Sequence, residues 1–265
     1  DENGLDNCLL LNDSKNVITA NYSGGNIAVF KKNADGSITE GQQLIQHEGK
    51  GPNEARQEKA HMHMVAFSPD KKFVLASDLG LDKVFIYSYN PGAAHDVLKL
   101  KESVNVKAGS GPRHLTFSKD GKFVYVIQEL DGTLTTFSYD KSGSLKKIAE
   151  TSILAKDFKG GTGAAAIKIS PDGKFLYVTD RVDANNISVY KILKNGSIEL
   201  LEQQSTLGKG PRDFAIDPTG NYLLVGHQHT NEIIIFKRDK TTGKLTNTGK
   251  KIELCSPVGL VFTKI

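Results

Sequence analysis

No tryptophan occurs among the 265 residues, and cysteine and methionine number two each. Cys8 and Cys255 lie near opposite ends and form no pair with metal-ligand spacing. They read as two reduced thiols, buried or half-buried, and a disulfide between them would require the termini to meet. Proline is scarce at 8 against 26 glycines, which excludes collagen and proline-rich disorder and favours a turn-rich globular chain. Apolar runs of the eighteen or more residues that a membrane helix needs are missing. The stretch from Asp1 to Asp6 is acidic and polar, without the basic-then-apolar order of a leader. The expectation is a soluble cytoplasmic protein, with export left open because a removed signal peptide would leave the same sequence. Blocks of one charge are missing too. Lysine and arginine total 34 against 30 acidic residues, for a net charge of +4, and the lysines are scattered. Neither a nucleic acid nor a membrane is the expected partner.

What is present is a repeat. Leu11-Asn-Asp-Ser-Lys-Asn-Val17, Phe67-Ser-Pro-Asp-Lys-Lys-Phe73, Phe117-Ser-Lys-Asp-Gly-Lys-Phe123, Ile169-Ser-Pro-Asp-Gly-Lys-Phe175 and Ile216-Asp-Pro-Thr-Gly-Asn-Tyr222 align, with starts 56, 50, 52 and 47 residues apart. Alternating apolar residues flank each segment, the pattern of a β-hairpin closed by a Pro-Asp-Gly type turn. A third β-rich run follows in every copy, Ile27 to Phe30 being the first and Ile233 to Phe236 the last. A Gly-x-aliphatic signal opens a fourth at Gly36, Gly143, Gly196 and Gly243. Four strands in about fifty residues define a β-propeller blade. The fold expected is therefore all-β: one β-propeller domain over 1–265, with five full blades from about Asn7 to Leu254. Val258 to Phe262 is expected to add one more first strand, and Asn53 to Ala60 reads as a helix-like insertion on the binding face. Ring closure asks for more chain, so a blade or more is expected to be missing at the N-terminal side.

The first strands of different blades converge on a central channel, so equivalent positions can nominate a site. Four residues before each anchor stand Asn7, His63, Arg113, Ala165, Arg212 and Val258. A second register, six residues after Val17, Phe73, Phe123, Phe175 and Tyr222, holds Ser23, Leu79, Glu129, Arg181 and Gln228. An imidazole, a carboxylate and several guanidiniums suit a reaction on an anionic substrate. The alternating pairs His61/His63 and His227/His229 could also ligate a metal, but no carboxylate or cysteine stands at ligand spacing and neighbouring arginines would repel a cation. No metal and no cofactor is expected.

The motifs Gly51-Pro-Asn-Glu-Ala-Arg-Gln-Glu-Lys-Ala-His-Met-His63, Asp78-Leu-Gly-Leu-Asp82, Gly111-Pro-Arg-His-Leu115, Gln128-Glu-Leu130 and Gly210-Pro-Arg-Asp-Phe214 resemble those of the seven-bladed propeller lactonases. That family includes propeller-type 6-phosphogluconolactonases and the fungal carboxymuconate-lactonizing cycloisomerase. The resemblance covers nearly the whole chain, and it implies that about a blade and a half of a seven-bladed ring lies outside this sequence. It implies a pocket of His63 or His61, Arg113, Glu129 and Arg181, the residues the registers nominate. Departures are mild: Asp180-Arg181 replaces Asn-Arg, Asn21-Tyr-Ser-Gly-Gly25 replaces Asn-Tyr-Gly-Gly, and His227-Gln228 replaces Asn-Gln.

The function this implies is metal-independent opening of a sugar-acid lactone, 6-phosphogluconolactone first, in the pentose phosphate pathway. Either His63 or Glu129 would activate water. Arg113 and Arg181 would hold the oxyanion or the phosphate, and Arg56, Gln57, His61, His114, Arg212 and Gln228 would bind the rest of the substrate. The rivals are a cycloisomerase acting on a carboxymuconate-type acid, a calcium-dependent lactonase and a non-catalytic propeller scaffold. The sequence leaves the oligomeric state open.

Overall fold

The first two strands of each blade are joined by a turn whose own side chains close it. In the computed structural model, which describes residues 7–263, the Ser68 hydroxyl donates to Asp70 Oδ1 at 2.7 Å and accepts from Phe73 N at 3.0 Å. Ser118, Asp120 and Phe123 repeat this arrangement, as do Ser170, Asp172 and Phe175. Short polar side chains that satisfy the turn backbone allow the apolar strands on either side to pair.

Among the described residues twenty strands result, in five four-stranded antiparallel sheets. They are β1 Asn7–Asn12, β2 Asn16–Asn21, β3 Asn26–Lys32 and β4 Ile38–Gln46; β5 Met62–Phe67, β6 Phe73–Asp78, β7 Lys83–Tyr89 and β8 Leu98–Asn105; β9 Pro112–Phe117, β10 Phe123–Gln128, β11 Thr133–Tyr139 and β12 Leu145–Ser152; β13 Ala164–Ile169, β14 Phe175–Asp180, β15 Asn186–Ile192 and β16 Ile198–Ser205; β17 Pro211–Ile216, β18 Tyr222–His227, β19 Glu232–Arg238 and β20 Leu245–Glu253. Strands follow one another in every sheet, the meander of a blade. Second and third strands are buried. The fourth is largely exposed and polar, as in Leu-Lys-Lys-Ile-Ala-Glu-Thr-Ser of β12, which keeps an outer edge from pairing with another chain.

The chain divides into two compact units. The first takes in the described residues up to Leu115 together with Tyr139–Lys146, the second Thr116–Ser138 and everything from Lys147 onward. In the first unit, Ile18, Ile27 and Val29 of the first sheet pack with Val65, Val74 and Tyr87 of the second. In the second unit, Phe175, Tyr177 and Val189 pack with Phe214, Leu223 and Phe236. Removing such a side chain from water stabilises by roughly 1.5–3 kcal/mol.

A second device links successive blades. Gly196, at φ +82°, lies over the Phe123 ring of the preceding blade, and Gly243, at φ +77°, lies over Phe175. The phenol of Tyr125 donates to Gly196 O at 3.0 Å, and that of Tyr177 to Gly243 O at 2.6 Å. Left-handed backbone and contact with a ring both demand glycine here, which explains the Gly-x-aliphatic signal.

Four expectations need correction. Residues 258–262 form no strand: Val258, Val261 and Phe262 are exposed, and among the described residues no ladder pairs with them, so the backbone has nothing to extend against. Asn53 to Ala60 is not a helix but a turn closed by Asn53 O, which accepts from Arg56 N at 3.1 Å and from Gln57 N at 2.7 Å. Cys255 is an exposed thiol rather than a buried or half-buried one; the Cys8 side chain lies outside the described residues. The first blade's turn is also shorter than the others, Asp13 N bonding to Asn16 O where Ser68 N bonds to Phe73 O. Asn16, not Val17, therefore corresponds to Phe73. Its registers shift accordingly, from Asn7 to Cys8 and from Ser23 to Tyr22. No helix among the described residues is long and apolar enough to cross a membrane.

Candidate active site

In the first unit, β5 carries a β-bulge where His63 stands, between the pairs Met62 with Asp78 and Met64 with Ser77. β17 carries one at Arg212, between Pro211 with His227 and Asp213 with Gly226. A bulge re-aims the extra side chain, so the positions that the repeat nominates are the ones the ladder sets apart.

His63 is buried and meets two rings edge-on: Tyr22 at 5.6 Å and His114 at 5.1 Å between centroids. Arg113 is also buried, and its Nη1 lies 3.4 Å from the His114 ring nitrogens. The nominated His63, Arg113 and His114 thus form one cluster. His61 joins it differently. Its ring stacks on Tyr22 at 4.4 Å, its Nδ1 faces Tyr22 O at 3.2 Å, and its Nε2 faces Glu58 Oε1 at 3.1 Å. A carbonyl and a carboxylate only accept, so a proton on either His61 nitrogen has an acceptor facing it. The His61 bond in turn holds the Glu58 carboxyl below the usual range. Of the two histidines left open by the sequence, His61 is tied into the wall. Tyr22 was missed because two absent turn residues displaced the first blade's alignment; the position of Asn21 at the end of β2 would have found it.

The segment before β5 is locked in place. Asp78 Oδ1 accepts from His61 N at 2.8 Å and from Leu81 N at 3.2 Å. A Cβ on Gly80 would collide with Lys59 O, so only glycine fits in Asp78-Leu-Gly-Leu-Asp82. Asp82, at φ +53°, accepts from Gly109 N and Gly111 N at 2.7 and 2.8 Å and sets the loop that delivers Pro112 and Arg113. Gln57 is fully buried and spends its amide on backbone, donating to Leu79 O at 2.8 Å and accepting from Asn53 N at 3.1 Å. It works as part of the loop. Arg56 stands exposed on the adjoining turn.

In the second unit, Arg181 Nη2 pairs with Glu129 Oε2 at 3.1 Å, and Arg181 Nε donates to Gly163 O at 2.9 Å. Burial pulls the guanidinium below the usual arginine value, Glu129 opposes this, and neighbouring Arg212 adds to it. Asp180 is buried beside Thr162, and burial raises its carboxyl above the usual range. Arg212 and Gln228 are half-buried, with Gln228 N bonded to Gly210 O at 2.9 Å. The fourth blade has Ala165 at the first register and contributes no polar group there. Arg181 thus stands among Glu129, Asp180 and a second guanidinium, Arg212, and neighbouring guanidiniums suit an anionic ligand. Among the described residues no cluster of three or more His, Cys, Asp or Glu is arranged to hold a metal.

Meandering blades whose first strands present histidine and arginine on bulges define a propeller enzyme class. Residues 2–262 match the family described as lactonase, 7-bladed beta-propeller, and the chain belongs to it. It is similar to the 6-phosphogluconolactonase of Bacillus subtilis (strain 168), with 36% identity over 93% of this chain and 69% of that protein. A crystal structure from Bacteroides fragilis matches 97% of this chain and 72% of its own, with a TM-score of 0.91 and 40% identity. The periplasmic gluconolactonase of Pseudomonas aeruginosa matches at a TM-score of 0.89 and 34% identity, over 95% of this chain and 71% of its own. The chain spans about two thirds of the length of its curated relatives, 69% and 66% of two of them.

Proposed function

We propose that the protein hydrolyses a sugar-acid lactone, 6-phosphogluconolactone, to the open acid, without a metal. The observation that supports this most is the packing of His63 against His114 beside the Arg113 guanidinium, on first strands of a chain that belongs to the lactonase propellers. His63 takes a proton from water as it attacks the lactone carbonyl, and returns it to the ring oxygen as the carbon–oxygen bond breaks. Arg113 stabilises the oxyanion, supplying the charge a metal would otherwise provide. Glu129 is the less available base, because its Oε2 already accepts from Arg181. Arg181 and Arg212 hold the phosphate, a group suited to paired guanidiniums. Register and motif assign the half-buried His114 and Gln228 and the exposed Arg56 to substrate contact, while His61 and Gln57 hold the loop before β5. With such a substrate we assign the protein to the cytoplasm and the pentose phosphate pathway, an assignment that cell fractionation tests.

The test is hydrolysis by the purified protein above the spontaneous rate, with and without chelator. Acceleration that chelator leaves unchanged, and that His63→Ala and Arg113→Ala abolish, is expected. Turnover of a carboxymuconate-type acid with none of the lactone would contradict it.

A further inference from the structure

One cross-strand pair of the second blade grips the backbone of the strand that carries Arg113. Met64 and Ser77 stand opposite each other in the β5–β6 ladder, immediately after the His63 bulge. The Ser77 hydroxyl donates to Arg113 O at 2.6 Å, and Met64 Sδ accepts from Leu115 N at 3.1 Å. In a strand the N–H and C=O of one residue leave on the same side, and sides alternate along the chain. Arg113 O and Leu115 N therefore leave from the same edge of β9. β9 is terminal in its sheet, so that edge has no ladder to satisfy it. Ser77 and Met64 take the place of a neighbouring strand there.

The two prongs act at short range on the cluster. Met64 is the residue after His63, and Ser77 bonds the carbonyl of Arg113 itself. The next residue, Asp78, holds His61 N, and its Oδ2 lies 3.3 Å from His47 Nδ1, whose Nε2 faces Tyr87 Oη at 2.5 Å. Ser77, Asp78 and Tyr87 are all buried, so this is a rigid post rather than a mobile surface. The β6 end thus fixes the backbone on both flanks, His61 to Met64 on one side and Arg113 to Leu115 on the other.

We infer that Ser77, assisted by Met64, is a positioning residue that sets the distance between the His63 imidazole and the Arg113 guanidinium. The inference rests on the lactonase reading above, since it concerns the geometry in which His63 and Arg113 act together. Misplacing a reacting group by about 1 Å costs as much as about 100-fold in rate. The bond predicts a graded series. Ser77→Ala removes one prong and lowers kcat tenfold or more while KM changes less than twofold. Met64→Leu keeps the volume, loses the acceptor and lowers kcat by a smaller factor. Ser77→Thr retains the hydroxyl and restores activity, since Thr179 fills the corresponding position of β14.

The experiment combines steady-state kinetics of lactone hydrolysis with NMR of the histidine ring protons in the same variants. Arg238→Met serves as a destabilised control outside the site. The expected result is a fall in kcat and displaced His63 and His114 signals in Ser77→Ala, both reversed in Ser77→Thr, with the control's kcat unchanged. Wild-type kcat and unshifted imidazole signals in Ser77→Ala would overturn the inference while leaving the lactonase reading intact. A wild-type protein without lactonase activity would overturn that reading instead, and unshifted ring signals would then refute the clamp independently.

Discussion

Arg238 and Arg181 both lie in the second unit, and each holds a carboxylate at close to 3 Å: Asp172 at 2.9 Å and Glu129 at 3.1 Å. Arg238 uses its whole fork on structure. It donates to Asp172, to the Tyr177 phenol at 2.7 Å and to Gly220 O at 3.0 Å, and it lies over the Phe175 and Tyr177 rings. Burial pulls its guanidinium down, but these bonds outweigh burial and the net shift is upward. Arg181 has Glu129, one carbonyl and the neighbouring Asp180, stands beside Arg212, and is shifted downward by burial. The same residue type with the same partner type serves as a latch at Arg238, and we propose that at Arg181 it serves as a reagent. A desolvated cation costs stability, and strongly perturbed groups of this kind cluster at functional sites.

Separating the two roles gives the largest expected effects. Arg181→Gln is expected to lower kcat/KM of lactone hydrolysis by about 100-fold or more, with a smaller loss of unfolding free energy than Arg238→Met shows. Arg238→Met removes the guanidinium bonds to Asp172 and Tyr177 and is expected to cost about 3 kcal/mol in urea unfolding, with kcat of the folded protein unchanged. If both variants lost stability and activity in parallel, the distinction between latch and reagent would fail.

A smaller effect concerns the glycine that seats each blade on the one before. Gly196→Ala meets both a left-handed φ and the Phe123 ring, whereas Gly36, at φ +88°, has nothing within 4 Å. Alanine at Gly36 is expected to cost about 1 kcal/mol from backbone strain alone, and at Gly196 about 2 kcal/mol or more. Equal costs in thermal unfolding would show that the ring contact contributes nothing.

The smallest effect lies next to Arg181. Burial raises the Asp180 carboxyl, so the folded state holds this proton more tightly than the unfolded state. That contribution favours folding at acid pH and is lost as pH rises through the folded-state value, leaving a buried charge at neutrality. Asp180→Asn keeps the acceptor for Gly163 N without the charge. A higher thermal midpoint than wild type at pH 7 is expected, with the gap closing as the pH is lowered toward 4. A gap that widened on acidification would reverse the sign.

The blades were legible because each turn writes its own chemistry: short polar side chains, Ser and Asp in three of the five, close the hairpin from within. Where one turn is two residues shorter, as at Asp13 to Asn16, counting from the wrong anchor misplaces that blade's registers, and Tyr22 went unseen for that reason. Residues 258–262 carry a β pattern, but a strand needs a partner, which pattern alone cannot supply. His63, Arg113, Glu129 and Arg181 could be nominated because register is periodic. The use of His61 and Gln57 was not legible, because their bonds to Glu58, Tyr22, Leu79 and Asn53 depend on loop conformation, and a motif records residues without their partners.

The most direct test of the account is hydrolysis of 6-phosphogluconolactone by wild type, Arg181→Gln and Arg238→Met, assayed side by side at a temperature where all three are folded. The account predicts acceleration over the spontaneous rate in wild type and Arg238→Met, and its near loss in Arg181→Gln. Equal activity in all three would contradict the assignment of Arg181 to the reaction, and no acceleration by the wild type would contradict the lactonase itself.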